Sequence, residues 1–305
     1  MTDAAPTWAG ESEPPEGRVV SSAVPASSAS IDAHLASALF TTGAWGVSAL
    51  SASVVAPTGT LATVGDDERA FDLASVTKLL AAYACLVAVE EGTLTLDEPA
   101  GPPGSTVRHL LAHAAGFGFD TGSVMLPGRR RVYSNTGFEA LAAHLTAAAG
   151  MPADRYVSAA VLEPLGMTAT RLRNGSLAHS ARSTGRDMAR FARELLVPTL
   201  IAPSTLAEAV TVAFAGLDGI LPGIGRQTPN DWGLGFELRD HKSPHWTGTT
   251  NSPETFGHFG ASGTCLWVDP ALERALVVLT NRDFGPWAMR AWPQLSDDVI
   301  AALRS

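Results

Sequence analysis

The sequence contains few of the residues that would indicate a disulfide framework, a membrane anchor or a polyanion-binding surface. Its 305 residues include only two cysteines, Cys85 and Cys265, and both lie in apolar segments, so we expect reduced core residues. No apolar run approaches the roughly 20 residues of a membrane-spanning helix, so we expect no membrane partner. The formal net charge is −9, and the only basic run, residues 129–131, fits a solvated loop better than a nucleic-acid site.

The N-terminal segment also lacks the basic start and the apolar run of a signal peptide, which predicts a cytoplasmic protein. Residues 1–29 are instead rich in Pro, Ser, Ala and Glu, a composition typical of a disordered arm. The remaining residues, 30–305, are numerous enough for one large domain with an ample core.

Helix and strand signals are segregated along this domain. Strands are predicted in residues 46–55 and 60–64, and again in three segments between residues 232 and 281. Residues 107–221 carry mostly helical signals, and a last helix is predicted over residues 286–304. This order predicts an α+β fold: an antiparallel sheet built from the N- and C-terminal segments and flanked by helices, with a mainly helical inserted subdomain.

Lysine is scarce, since the chain has only Lys78 and Lys242 against nineteen arginines. Lys78 lies in the first turn of a segment, Ser75 to Glu91, that is apolar almost all round and therefore predicts a buried helix. Arginine does not release its proton in proteins, whereas a buried lysine can become a neutral base. The pattern indicates that a neutral amine is needed at the start of this helix.

Ser75 precedes Lys78 by three residues, so the two side chains share one helix face at about 5–6 Å. A serine in this position can attack a carbonyl carbon when a base takes its proton, and nearby N–H groups can stabilise the oxyanion. Ser-x-x-Lys is nevertheless a short pattern that arises by chance in many proteins, so it does not define an active site alone.

Further stretches follow in order between Phe71 and Asn281: LASVTKLL, VEEGTLTLDEP, VRHLLAHAAGF, YSNTGF, LEPLGMTAT, GLGFEL, GHFGASGT and VVLTNR. With them the chain resembles the serine β-lactamase and penicillin-binding-protein superfamily, in the branch that holds class C β-lactamases, D,D-peptidases and esterases. The resemblance implies a β-lactamase/transpeptidase-like catalytic domain, with its α/β part at about residues 30–80 and 230–305 and its helical insertion at about 81–229.

The resemblance also implies roles for individual residues. Ser75 would be the acylated nucleophile and Lys78 its activating partner. Tyr133, in a Tyr-x-Asn motif, would relay a proton from Ser75 to the leaving group and then activate water. Asn135 would orient Lys78 and the substrate.

A third motif, His258-Phe259-Gly260, matches the family's Lys/His-x-Gly strand beside the site. Gly260 would let the substrate approach the strand closely, and the amide of Ala261, together with that of Ser75, would form the oxyanion hole.

This motif departs from the Lys-Thr-Gly that is usual in β-lactamases and D,D-peptidases. His258 is expected to be mostly neutral near pH 7, and Phe259 has no hydroxyl, so both changes weaken the binding of a substrate carboxylate. We therefore predict a serine hydrolase, an esterase acting on a neutral or apolar small-molecule ester, or less often an amide, through an acyl-enzyme on Ser75. The alternatives are a biosynthetic acyltransferase, a β-lactamase or D,D-peptidase, and a non-catalytic binding protein, against which the retained Ser75, Lys78 and Tyr133 argue.

Two histidine patterns remain. His109 and His113 are four residues apart, as metal ligands can be, but no acidic ligand accompanies them, so we expect neither a metal nor a cofactor. Asp240, His241 and His245 cluster beside a proline, which favours a surface turn.

Overall fold

The computed structural model describes residues 28–305, so the arm predicted for residues 1–29 lies almost entirely outside the described residues. In chain order the elements are α1 (Ser28–Phe40), β1 (Leu50–Ala56), β2 (Gly59–Gly65), β3 (Ala70–Asp72), α2 (Thr77–Glu90), α3 (Val107–Leu111), α4 (Asn135–Ala149), α5 (Ala153–Val157), β4 (Arg171–Leu172), β5 (Ala181–Thr184), α6 (Gly185–Leu196), α7 (Pro203–Ala209), β6 (Gly219–Leu221), β7 (Gly225–Gln227), β8 (Glu237–Leu238), β9 (Phe256–Gly260), β10 (Thr264–Asp269), β11 (Arg274–Thr280) and α8 (Ala288–Arg304).

A six-stranded antiparallel sheet, in the order β2-β1-β11-β10-β9-β8, joins the two ends of the chain. The N-terminal hairpin pairs directly with the C-terminal strand β11, with Ala52 opposite Val278. The structure therefore confirms the predicted α+β fold. The segment between the two halves is mainly helical, but it also contains the short strands β4 to β7, which the sequence signals did not predict.

The central strands are buried on both faces, which explains why β10 and β11 are almost continuously apolar. On one face, alternate residues such as Leu266 and Val277 pack against α2 and α6. On the other face, residues such as Trp267 and Val278 pack against α1 and α8. Two helical layers thus enclose the sheet, in which β9 lies between β10 and the edge strand β8.

Cys85 and Cys265 are both buried and unpaired with each other, which confirms the prediction of reduced core residues. Among residues 28–305, no helix combines the length and the apolarity needed to span a bilayer.

Candidate active site

Ser75 lies in a tight turn rather than at the first position of an α-helix. A 3₁₀ turn covers Ala74–Val76, and α2 begins only at Thr77, so the predicted helix start at Ser75 is wrong. Ala74 has a φ of 45°, a conformation that costs a non-glycine residue of order 1–3 kcal/mol and persists only when its surroundings enforce it. Leu73 supplies one such constraint, because its carbonyl oxygen accepts a hydrogen bond from the Thr264 hydroxyl at 2.8 Å.

The amine of Lys78 is fully buried and lies 3.3 Å from the Ser75 hydroxyl oxygen. It donates hydrogen bonds to Asn135 Oδ1 at 2.7 Å and to the carbonyl oxygen of Ala178 at 2.8 Å. A neutral amine has two hydrogens and one lone pair. With both hydrogens directed to these acceptors, the lone pair is left for the Ser75 hydroxyl.

Burial lowers the pKa of Lys78 from 10.5 to about 7, because the charged form loses its hydration. The carboxylates of Glu139 and Asp120 oppose this shift, since negative charge favours the protonated amine. The balance leaves Lys78 able to exchange a proton near neutral pH.

Tyr133 and Asn135 are positioned by the start of α4. Ser134 caps this helix, because its hydroxyl oxygen accepts a hydrogen bond from the amide of Gly137 at 2.9 Å. The ring of Tyr133 has its centroid 4.7 Å from the Lys78 amine. Its hydroxyl is buried and has no hydrogen-bond partner among the described residues. Burial raises the pKa of this hydroxyl, and the nearby Ser75 side chain partly opposes the rise.

Gly260 lies directly against the turn that carries Ser75. A Cβ atom at residue 260 would lie 2.3 Å from the carbonyl oxygen of Leu73 and 3.2 Å from the Cβ of Ala74. The glycine therefore lets the strand approach the serine turn, whereas the sequence had suggested an approach by the substrate. Ala261 follows β9 immediately and is exposed at this junction.

His258 is buried and neutral. Its Nδ1 accepts the amide hydrogen of Phe259 at 2.7 Å, which places the ring proton on Nε2. Burial, aided by the nearby Lys78, lowers the pKa of His258 to about 3. Its ring centroid is 5.4 Å from that of Tyr133. The third motif therefore supplies no cation near neutral pH.

Phe259 offers little surface to a substrate, because its side chain is only 6% exposed. Its ring packs against Phe284 at 4.7 Å and Trp246 at 5.7 Å between centroids. Phe259 therefore packs β9 against the aromatic core and does not line an exposed substrate-binding surface.

His113 belongs to the site, although the sequence suggested only a weak metal-ligand pair with His109. Its Nδ1 accepts the amide hydrogen of Ser134 at 3.2 Å, and its ring centroid lies 4.5 Å from that of Tyr133. His109 instead stacks on Phe214 at 4.2 Å. Within residues 28–305, no three His, Cys, Asp or Glu side chains gather as a metal site.

Asp120 is the second residue that sequence reasoning missed. Its Oδ1 accepts a hydrogen bond from Asn135 Nδ2 at 2.8 Å, which fixes the side-chain oxygen of Asn135 toward Lys78. The two residues are 15 positions apart, and an exposed aspartate in a loop carries no signal that could have predicted the contact.

The basic run at residues 129–131 is not a uniformly solvated loop, and that prediction is wrong for Arg131. Its side chain is 1% exposed and donates hydrogen bonds to four backbone carbonyl oxygens, of Ala112, Asn230, Ala213 and Phe214. Burial lowers its pKa to about 10. This guanidinium connects the segments that carry His113, Tyr133 and Trp232.

The second lysine, Lys242, is also buried, in a polar network away from Ser75. Its amine contacts Glu237 Oε1 and two backbone carbonyl oxygens. His245 donates to the other carboxylate oxygen of Glu237 at 2.9 Å. The predicted surface turn is therefore wrong for His245, which is buried, and holds for the exposed His241.

Comparison with known proteins identifies the family. The family model described as Beta-lactamase matches residues 42–300, so the chain belongs to the β-lactamase family, within the serine β-lactamase and penicillin-binding-protein superfamily. The predicted resemblance is confirmed.

Solved structures that resemble this chain are described by different activities. A crystal structure of a β-lactamase from Mycobacterium bovis is 55% identical, with a TM-score of 0.86, over 87% of this chain and 99% of its own. EstCE1, described as a hydrolase with promiscuous acyltransferase activity, is 17% identical, with a TM-score of 0.73, over 89% of this chain and 99% of its own. This second likeness shows the fold alone.

A curated protein of Salmonella paratyphi B, named "Putative D-alanyl-D-alanine carboxypeptidase", is 26% identical in an alignment of 220 residues, and the match covers 58% of this chain. The matched region is 50% of that protein, so the chain spans about half the length of the curated relatives it matches.

Proposed function

We propose that this protein is a serine hydrolase that forms an acyl-enzyme on Ser75 and acts on carboxylic esters with a neutral or apolar acyl group. The observation that carries the proposal is the buried Lys78 amine, 3.3 Å from the Ser75 hydroxyl oxygen and with a pKa lowered to about 7. A large fraction of such an amine is unprotonated at neutral pH, so it can accept the serine proton.

In the proposed reaction, Lys78 Nζ takes the proton of Ser75 as the serine oxygen attacks the carbonyl carbon of the ester. The amides of Ser75 and Ala261 donate to the oxyanion that forms. The bond to the alcohol oxygen then breaks, and the proton passes from Lys78 through the Tyr133 hydroxyl to that oxygen. Water then gives a proton to the same pair and attacks the acyl carbon. The bond from that carbon to the Ser75 oxygen breaks, the oxygen takes the proton back from the pair, and the carboxylic acid leaves.

Three features support a neutral substrate. His258 carries no charge near pH 7, because burial lowers its pKa to about 3. Phe259 has neither a hydroxyl nor an exposed face. Asp120 places a carboxylate beside Asn135, where it would repel a substrate carboxylate.

A second candidate is the hydrolysis of β-lactams, which the name of the 55% identical M. bovis protein favours. Both candidates use the same acyl-enzyme and differ in the substrate. The comparison that separates them is kcat/KM for p-nitrophenyl butyrate against benzylpenicillin in one preparation. A higher value for benzylpenicillin would replace the esterase proposal by a β-lactamase one. Added alcohol in the same assay separates hydrolysis from acyl transfer, by whether a new ester accumulates.

Covalent labelling tests the nucleophile. After incubation with a fluorophosphonate, the intact protein should gain one label, and Ser75→Ala should gain none and should lose turnover by up to about 10⁶-fold. Ser262→Ala, which removes the hydroxyl of another serine at this end of the sheet, is the matched control and should still be labelled. Full ester hydrolysis by Ser75→Ala would overturn the proposal.

A further inference from the structure

A groove of about 420 Å³ opens beside Tyr133, and it is named the Tyr133 groove here. Phe119 and Val124 line it from one loop, and Ile220, in β6, lines it from another. Its volume falls within the range of about 300–1,000 Å³ that is typical of small-molecule pockets.

The walls of the Tyr133 groove hold large apolar side chains in contact with solvent. Phe119 is 50% exposed, Val124 is 56% exposed and Ile220 is 59% exposed. Among residues 33–305, eight large apolar side chains are exposed, and three of them meet at this one groove. Such clustering on a concave surface is typical of a ligand-binding site rather than of scattered surface residues.

The two guanidinium groups at the groove already have partners within the protein. Arg130 Nη2 lies 3.4 Å from Asp218 Oδ2. Arg131 directs its hydrogen bonds to four backbone carbonyl oxygens. An anionic ligand would have to displace one of these partners, so the groove suits an uncharged group.

The groove adjoins the candidate catalytic centre, because the ring of Tyr133 lines the groove and also lies beside Lys78. The Phe119 ring stacks on the Tyr133 ring at 5.9 Å between centroids, and the Lys78 amine lies 4.7 Å from the centroid of the same tyrosine. We propose that the Tyr133 groove binds an extended, uncharged alkyl or aryl chain of the ester substrate. This inference rests on the proposed function, and it states which surface of the protein selects the substrate and which chemical groups that surface accepts.

Two ester series test the proposal and show which side of the ester occupies the groove. One series lengthens the acyl chain, from p-nitrophenyl acetate to p-nitrophenyl octanoate. The other lengthens the alcohol, from ethyl to octyl acetate. In one of them kcat/KM should rise about threefold to fourfold for each methylene that the groove buries.

Ile220→Glu places a carboxylate in the wall of the groove and should abolish this rise while p-nitrophenyl acetate is still hydrolysed. Val197→Glu, which changes an exposed valine at the end of α6, is the matched control and should keep the rise. The proposal would be overturned if kcat/KM were independent of chain length in both series, or if Ile220→Glu retained the increase of kcat/KM with chain length.

A binding measurement keeps this test independent of catalysis. Hexyl phenyl ether has no ester bond, so its calorimetric affinity reports the groove even if the proposed hydrolase reaction is wrong. It should bind wild-type protein at least tenfold more tightly than Ile220→Glu, and the Val197→Glu control should match wild type. Equal affinity for wild type and Ile220→Glu would overturn the groove as the binding site, whatever the outcome for Ser75.

Discussion

Gly260 and Leu73 approach so closely that a Cβ atom on residue 260 would lie 2.3 Å from the Leu73 carbonyl oxygen. Side chains do not tolerate such a distance, so β9 and the serine turn can meet in this way only through a glycine. The contact brings Ala261, which follows the strand, beside the turn that carries Ser75. The proposed oxyanion hole thus requires a residue without a side chain at position 260.

Gly260→Ala should therefore separate the two amides of the proposed oxyanion hole. We expect kcat for p-nitrophenyl acetate to fall about 10²–10³-fold, as on loss of one oxyanion donor. Gly43→Ala is the matched control, because a Cβ atom there meets nothing within 4 Å. A Gly260→Ala protein that folds and retains wild-type kcat would contradict this geometry.

Activity should rise with pH through about pH 7. The pKa of Lys78 is lowered from 10.5 to about 7, so the neutral amine, which is the proposed base, predominates above this pH and the protonated form below it. The acid limb of kcat/KM for a neutral ester measures this ionisation in the free enzyme. A profile without an acid limb between about pH 5 and pH 9 would show that Lys78 is not the base.

Lys78→Arg should be nearly as damaging as Lys78→Ala. Arginine keeps the positive charge but does not release its proton, so it cannot take the proton of Ser75. Steady-state kinetics with p-nitrophenyl acetate, together with circular dichroism to check folding, compare the two variants. Near wild-type turnover in Lys78→Arg would mean that Lys78 acts only as a counter-charge.

Asp120→Asn should shift the acid limb of the pH profile to lower pH. The carboxylate of Asp120 favours the protonated form of Lys78, so its removal lowers the pKa of that amine.

The same variant, Asp120→Asn, should raise the kcat/KM ratio of benzylpenicillin to p-nitrophenyl acetate about twofold to fivefold, which is the size of an exposed charge interaction. Glu163→Gln, which neutralises an exposed carboxylate elsewhere, should change neither quantity.

Arg131→Met should lower the free energy of unfolding by about 3–5 kcal/mol, because it leaves several buried carbonyl oxygens without a donor. Arg129→Met makes the same substitution two residues earlier, at an exposed side chain, and should change stability by less than about 0.5 kcal/mol. Urea unfolding of both variants measures the difference. Equal effects would show that the buried hydrogen bonds of Arg131 do not matter to the fold.

Sequence patterns were sufficient to predict most of the sheet and the nearness of Ser75 to Lys78, whereas β9 was expected only from the family resemblance. Both depend on local patterns: apolar runs bounded by turns for the strands, and a three-residue separation across the 3₁₀ turn and the first turn of α2. The distorted turn, with a φ of 45° at Ala74, was not predictable. It is held by contacts of Thr264 and Gly260 with residues 73 and 74, and these contacts are long-range in sequence.

The remaining contacts of the site could not be predicted for a different reason. The Lys78 amine reaches the carbonyl oxygen of Ala178, which lies 100 residues away. Every residue has a carbonyl group, so no residue type marks the one that will accept a hydrogen bond. Arg131 was misinterpreted because arginine is seldom buried, and its burial depends on carbonyl oxygens from four distant positions.

The burial of both lysines has a chemical consequence for the folded protein. Lys78 is 0% exposed and Lys242 is 5% exposed, and the chain has no other lysine. Reactive esters readily modify exposed lysine amines in most proteins. This protein presents no such amine on its surface, so a substrate that carries an activated acyl group has no lysine side chain to modify outside the active site.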